Sequence, residues 1–325
     1  MTRSFTQTRR GALGLLGASL ALPAAAFAGP PVEVVSGAAF GSSWRAVAAP
    51  ALRSADLRPL FEALFAEIDA ALSPWRPESA ISRFNAAEAG EPNADPALIE
   101  VTRAAMRLAR LSDGAFDPTV GPLVAQWGFG PIRGGGVPGW RDISVGASGV
   151  GKTRGDLTLD LCGIAKGWAL DRVAQHARAL GRTDLLLELG GEFIALGRHP
   201  DGRDWHLAVE PPVPGGPIPA RLRVPDGHAV ATSGTRAQGY VVDGRLYSHL
   251  IDPKTQSPVD GALRSVTVAA EDAMSADGWA TALFAAGDVA GPELAASRGI
   301  AALFLFEESG GPGRVTTGHM PELLL

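Results

Sequence analysis

Asp277 and Thr281 stand four residues apart in a run of small apolar residues, Ala276 to Ala285. On a helix, positions i and i+4 share a face, so a carboxylate and a hydroxyl point the same way. Hard oxygens of this kind suit Mg2+, which also takes phosphate oxygens and water. The other reading is a capping aspartate and a threonine bonded to its own helix. A second group is Asp160-Leu161-Cys162-Gly163-Ile164-Ala165-Lys166-Gly167, a small-residue turn with a lysine where a helix should begin. Backbone N–H groups and a cation at such a place suit phosphate oxygens. The spacing is neither G-x-x-x-x-G-K-[ST] nor G-x-G-x-x-G. Lysine is scarce, with Lys152, Lys166 and Lys254 alone. One at a helix N-terminus opposes the dipole and needs a partner, unless it is a solvated surface lysine. His249, in Ser248-His249-Leu250-Ile251-Asp252-Pro253, is either a general base or a structural histidine. Asp117, before Pro118 in Gly114–Thr119, either caps a turn or meets a ligand. Cys162, among small apolar neighbours, reads as an inert packed thiol.

These groups need elements to hold them. Leu57, Leu60, Phe61, Leu64, Phe65, Ile68 and Leu72 repeat at helical spacing, and Ser73-Pro74 should end that helix. Asp95 as N-cap and Pro96 at the first position open another, with Leu98, Ile99, Met106 and Leu108 as its apolar stripe. Residues 130–156 are rich in glycine and proline and read as an irregular connection. A strand at Leu157–Leu161 is expected to lead into a helix beginning near Gly163. Ile164, Trp168, Val173, Ala177 and Leu180 would be buried there, and Gly181 would end it. Strands are expected at Leu185–Leu189, Trp205–Val209, Ser265–Ala269 and Ala301–Phe306, the middle two alternating. A helix near Ala276–Ala285 completes the set. With no internal repeat and no low-complexity linker, the pattern predicts a single compact α+β domain.

The composition narrows the function. Of 325 residues, 46% are hydrophobic, enough for a sizeable core, and the formal net charge is −5. An acidic balance argues against a general nucleic-acid binder but leaves room for one nucleotide in a pocket. A single cysteine excludes an internal disulfide and a Cys-rich metal site. Arg9-Arg10, an uncharged stretch from Gly11 to Leu22, and Ala26-Phe27-Ala28 before Gly29 form an n-region, h-region and cleavage site in order. The apolar run is too short to span a bilayer. Paired arginines before a weakly hydrophobic, Gly- and Ala-rich segment favour twin-arginine export over a Sec signal. Residues 1–28 carry three arginines and no acid, so their removal takes the net charge from −5 to −8. The expectation is therefore a signal peptide at 1–28, a domain at 29–325 in the periplasm, and no transmembrane segment in the mature chain.

Several blocks, taken in order, resemble the ApbE family of FAD:protein FMN transferases. They are Gly41-Ser42-Ser43-Trp44, Leu72–Ser79 through Asn85, Gly114–Gly130, Asp160–Asp171, Gly190-Gly191, Ala231–Gly234, Ser248–Pro253 and Ala276–Thr281. The likeness runs from about Phe40 to Gly287. It implies a single α+β domain of T-fold-like type with mixed or antiparallel sheets. It implies cleavage of the FAD pyrophosphate, with FMN passing to a threonine or serine hydroxyl of a target flavoprotein and AMP released. By the same resemblance Phe40, Trp75, Ala115, Phe116, Asp117, Asp160, Lys166 and Ile251 meet the flavin dinucleotide. The Gly163 carbonyl, Asp277 and Thr281 hold Mg2+, and His249 is the base. The acceptor would be a membrane-associated electron-transfer subunit or a flavoprotein of nitrous-oxide respiration. Phe40 stands where the family commonly has methionine, Trp75 where it has tyrosine, and both keep apolar or aromatic contact. Gln256 replaces a usual glycine. Gly278 replaces a usual alanine and is expected to loosen its helix. The alternatives are an FAD pyrophosphatase of the same fold and a periplasmic FAD carrier without chemistry.

Overall fold

An antiparallel meander of eight strands forms the frame. Its strands are β1 (Glu33–Ala39), β2 (Ser42–Ala48), β3 (Leu185–Leu189), β4 (Glu192–Leu196), β5 (Ala229–Gly234), β6 (Leu263–Ala270), β7 (Ala301–Glu308) and β8 (Gly311–Thr317). They lie side by side in chain order, each antiparallel to the next. The structure, a computed structural model, describes residues 32–49, 57–212, 215–236, 238–242, 245–308 and 311–325. The expected export signal at 1–28 lies outside the described residues. The described residues belong to one compact unit.

Helices inserted between strands cover one face of the sheet. They are α1 (Leu57–Leu72), α2 (Ala80–Ala86), α3 (Pro96–Leu111), α4 (Gly121–Gln126), α5 (Ala165–Ala179) and α6 (Ala273–Arg298). α1 and α3 match the expectation: Leu57, Phe61, Phe65, Ile68 and Leu72 are buried, and the Asp95 carboxylate accepts from the Leu98 N–H at 3.0 Å. The opposite face carries its own apolar layer, in which Trp205, Leu222 and Val224 pack with Leu303, Leu305 and Met320. These come from a ribbon pairing Trp205–Ala208 with Arg221–Val224 and from α7 (Met320–Leu323). A strand covered on both faces is buried on both sides. That is why all of β3 is buried, Glu188 included, and why burial along β6 does not alternate although its residue types do, Ser265 and Thr267 being buried with Val266 and Val268.

Other expectations are corrected. Leu157–Leu161 is extended but joins no sheet. Its polar groups are held instead by Asn85, whose side chain accepts from Leu159 N–H at 2.7 Å and donates to Leu159 O at 3.0 Å, and by Pro118 O, which accepts from Asp160 N–H at 2.7 Å. Lys152 fixes the same stretch: its ammonium is buried and donates to the carbonyls of Asn85, Gly155 and Leu157 at 3.2, 2.9 and 2.8 Å. The helix after it begins at Ala165 rather than Gly163, and Leu180 is exposed just past its end. Residues 130–156, expected to be irregular, contain a hairpin of Ile143–Gly146 with Gly149–Lys152. α6 runs well past Ala285, with a break at Gly287 (φ 82°) and Pro292 inside its second half. α6 is unbroken at Gly278. A Cβ there would lie 2.6 Å from the Leu108 side chain, so the glycine lets α3 come close.

Candidate active site

α5 and α6 meet at their N-terminal ends, and the meeting point is the candidate site. A Cβ on Gly167 would lie 2.2 Å from the Ala273 carbonyl, so no other residue permits this approach. From α5, Asp171 accepts from the Ala273 and Met274 N–H groups at 2.7 and 2.8 Å, filling two of the unpaired donors that open a helix. Burial pushes its carboxyl up to about 7. Asp272 caps the same helix end through the Ser275 N–H. The Asp277 side chain then returns to α5 and accepts from the Gly167 N–H through Oδ2 at 3.0 Å. Its Oδ1 has no hydrogen-bond partner among the described residues.

One turn of α6 further on, Thr281 lies against Gly163. A Cβ on Gly163 would sit 3.0 Å from Thr281 Oγ1, and Ser233 Oγ on β5 is 3.2 Å from that hydroxyl. Gly163, Asp277 and Thr281, placed together by the resemblance, are thus neighbours. Ser233 joins them. Asp277 is buried, and this raises its carboxyl, with Lys166 and the Gly167 N–H pulling it back. No cluster of three or more His, Cys, Asp or Glu with metal-binding geometry occurs among the described residues. The oxygen set here is of another kind, with one carboxylate, one hydroxyl and backbone.

Lys166, in the first turn of α5, has the partner that its position demands: Glu192, at the start of β4. The pair is an ion pair with a very short contact. Burial would lower the lysine, but the carboxylates of Glu192 and then Asp277 hold it well above its usual range. Asp160 turns back on its own loop, accepting from the Cys162 N–H at 3.0 Å. The Cys162 thiol is pushed up by burial and by Asp160, which agrees with an inert thiol.

His249 stands in a loop between two small ribbons, Gly239–Val242 with Arg245–Ser248 and Ile251–Asp252 with Ser257–Pro258, where the charges of Lys166 and Asp160 act on it. Its Nδ1 is 3.2 Å from the Gln238 carbonyl. A carbonyl can only accept, so Nδ1 carries the hydrogen and Nε2 keeps its lone pair. Burial lowers the imidazole and Lys166 adds to this, against the Gln238 carbonyl and Asp160, so the ring is neutral at pH 7. The Phe129 ring meets His249 edge-on at 6.2 Å and stacks on Tyr240 at 5.2 Å.

The remaining expected residues lie on other turns and strands. Phe40 sits in the tight turn between β1 and β2 at φ 53°, its ring edge-on to Phe65 at 5.8 Å. Trp75 is 61% exposed, a free aromatic face beside a groove lined by Pro74, Asn85, Ile132 and Thr158. Asp117 Oδ1 accepts from both the N–H and the hydroxyl of Thr119, at 2.8 and 2.5 Å, which is the turn-capping alternative. Ala115, Phe116 and Ile251 have buried side chains, so they offer a ligand little beyond backbone.

A family model described as the ApbE family matches residues 40–304. The chain belongs to the ApbE family. A relative from Vibrio cholerae named FAD:protein FMN transferase is 35% identical over 272 residues, 79% of this chain and 81% of its own length. One of the same name from Escherichia coli strain K12 is 30% identical over 300 residues, 85% of each chain. Among solved structures, the flavin transferase ApbE from Vibrio cholerae superposes with a TM-score of 0.81 at 32% identity, covering 90% of this chain and 100% of its own. The apo flavinyl transferase ApbE of Pseudomonas stutzeri gives 0.80 at 34% identity, covering 90% and 96%. The single α+β architecture of this ApbE chain is therefore that of its family.

Sequence reasoning missed Glu192, the Gln238 carbonyl and the Phe129 ring. For Glu192 a signal existed: an acid directly after Gly190-Gly191, opening a strand that is otherwise apolar through Leu196.

Proposed function

We propose that this chain transfers FMN from FAD to a threonine or serine hydroxyl of a target flavoprotein, forming a phosphoester and releasing AMP. The observation that carries the reading is the open Oδ1 of buried Asp277, in a cluster whose Lys166 ammonium acts electrostatically on both Asp277 and His249. Lys166 Nζ is paired with Glu192 Oε1, and Asp277 Oδ1 is left without a hydrogen-bond partner among the described residues. The donor set fits Mg2+: Asp277 Oδ1, Thr281 Oγ1 and the Gly163 carbonyl are hard oxygens on facing elements. Bound there, Mg2+ would neutralise pyrophosphate charge and ease the departure of AMP.

The protein's own groups do the rest. The acceptor oxygen attacks the phosphorus on the FMN side, and the bond from that phosphorus to the bridging oxygen breaks. His249 Nε2 takes the hydroxyl proton, for which Nδ1 is already fixed by Gln238. A hydroxyl is a poor nucleophile without such help. Lys166 lies against the phosphate oxygens and stabilises charge that grows in the transition state. Trp75 supplies a face on which a ring of FAD can stack. The export pattern around Arg9-Arg10 supports a periplasmic site of action, where a membrane-associated electron-transfer subunit would be the acceptor. No helix among the described residues is long and apolar enough to cross a membrane.

The test is incubation of residues 29–325 with FAD and Mg2+, alone and with periplasmic extract from a strain lacking the enzyme. Protein-bound flavin with stoichiometric AMP is expected. Free FMN in equal amount with and without extract would mean a pyrophosphatase, and unchanged FAD would mean a carrier.

A further inference from the structure

Glu192 has no structural reason to be charged. It opens β4, whose following residues Phe193, Ile194, Ala195 and Leu196 are apolar, and its side chain is 4% exposed. Among the described residues one oxygen is used: Oε1 accepts from Lys166 Nζ, while Oε2 is buried with no partner among them. Burying a carboxylate with an unfilled oxygen is costly, so the group is retained for what Oε1 does. The neighbouring acid cannot substitute. Glu188 is already held by Arg45 Nε at 2.7 Å and the Gly191 N–H at 3.1 Å, contacts that fix the turn between β3 and β4.

The alternative partner for Lys166 is Asp277, the second carboxylate acting on its ammonium. A lysine side chain has four rotatable bonds and would pair with whichever carboxylate holds it better. If it paired with Asp277, it would fill Oδ1, the oxygen left open for a cation. A carboxylate on the sheet side draws Nζ away from α6. The turn closes over the pair, since a Cβ on Gly190 would lie 3.5 Å from both Glu192 Oε2 and Lys166 Cδ.

We propose that Glu192 is a positioning residue: it clamps Lys166 on the sheet side of the site, which fixes the ammonium for phosphate and keeps it off Asp277. This rests on the transferase reading given above. The test uses the mature protein with Glu192→Gln, Glu192→Asp, Lys166→Met and the double variant Lys166→Met/Glu192→Gln. Flavin fluorescence reads FAD affinity, a Mg2+ titration of AMP release reads the metal requirement, and mass spectrometry follows amine labelling of Lys166. Glu192→Gln should weaken FAD roughly tenfold, the scale of one charge-assisted hydrogen bond, and raise the Mg2+ needed for half-maximal rate. In the Lys166→Met background the same change should alter FAD affinity less than about twofold, because contacting residues couple. Lys166 should be labelled faster in Glu192→Gln, and faster in Glu192→Asp if the glutamine variant does not fold.

Additive effects in the double variant, or unchanged labelling of Lys166, overturn the clamp. If the unsubstituted protein neither binds FAD nor releases AMP, the transferase reading fails, and the labelling rates still decide the role of Glu192.

Discussion

Asp117 and Asp277 are both buried aspartates in the pattern shared with the family, and the fold treats them in opposite ways. Burial raises both carboxyls. Asp117 is answered locally, by the N–H and hydroxyl of Thr119 two residues on, and Thr119 Oγ1 in turn accepts from the Gly139 N–H at 2.8 Å. The result is a closed knot tying the Gly114–Thr119 turn to the loop before Trp140. Asp277 is answered from 110 residues away, by one backbone N–H, and the answer is incomplete. Burial alone therefore does not distinguish a structural acid from a working one. What distinguishes them is whether the protein fills the acid's hydrogen-bonding capacity or leaves part of it for something else.

The sharpest way to break this contrast is to neutralise each acid in turn. Asp277→Asn should lower transfer by more than ~100-fold, beyond the range seen when only a supporting shell is lost, with an unfolding temperature close to that of the unsubstituted protein. Asp117→Ala should do the reverse, lowering stability by about 1–3 kcal/mol as two donors lose their acceptor, with a smaller effect on flavin. Fluorescence titration with FAD and thermal unfolding of both variants decide. An Asp117→Ala protein that is stable but no longer binds FAD would make Asp117 a flavin contact, as the resemblance implies, and erase the distinction.

His249 sharpens the comparison. His249→Ala should spare FAD affinity and cut transfer by roughly 10²–10⁴-fold, the range for loss of a general base. In the proposed role His249 would act as the neutral ring, and burial depresses its pKa. Activity is therefore retained as pH falls to 6.5 and is lost below that, as the ring protonates. An acid limb above pH 6.5 in single-turnover transfer would contradict this environment for His249.

The smallest effect expected is at Gln256, which stands where glycine is usual and adopts φ 58°. A left-handed residue with a side chain costs about 1–2 kcal/mol relative to a right-handed one. Part of this returns with glycine, less the extra entropy of its unfolded chain. Gln256→Gly should raise the unfolding temperature by a few degrees without changing transfer.

What could be read from the sequence follows the range of the interactions. α1 carries its own periodicity and α3 its own N-cap, so the stop of the first and the start of the second were legible. Leu157–Leu161 was misread because its partners, Asn85 and Pro118, are distant side-chain and backbone groups that no local pattern reveals. Burial along β6 does not alternate as expected because a second layer covers the far face of the sheet. The chemistry divides in the same way. Gly163, Asp277 and Thr281, grouped by resemblance, are neighbours in the fold, whereas Glu192, which meets Lys166 across 26 residues, had only the Gly190-Gly191 signal.

The turn between β1 and β2 carries a different kind of information. Its first residue is Phe40 at φ 53° and its second is Gly41 at φ 68°, a pair of left-handed positions where asparagine followed by glycine is the easiest choice. An aromatic residue is tolerated there at the expense of the hairpin. Two selections would consequently pull position 40 apart. A population evolved in the laboratory for heat resistance alone should drift to asparagine or glycine at this site. One evolved for flavin delivery should keep a bulky side chain, and sequencing both populations would show the divergence at residue 40 before it appeared in the core.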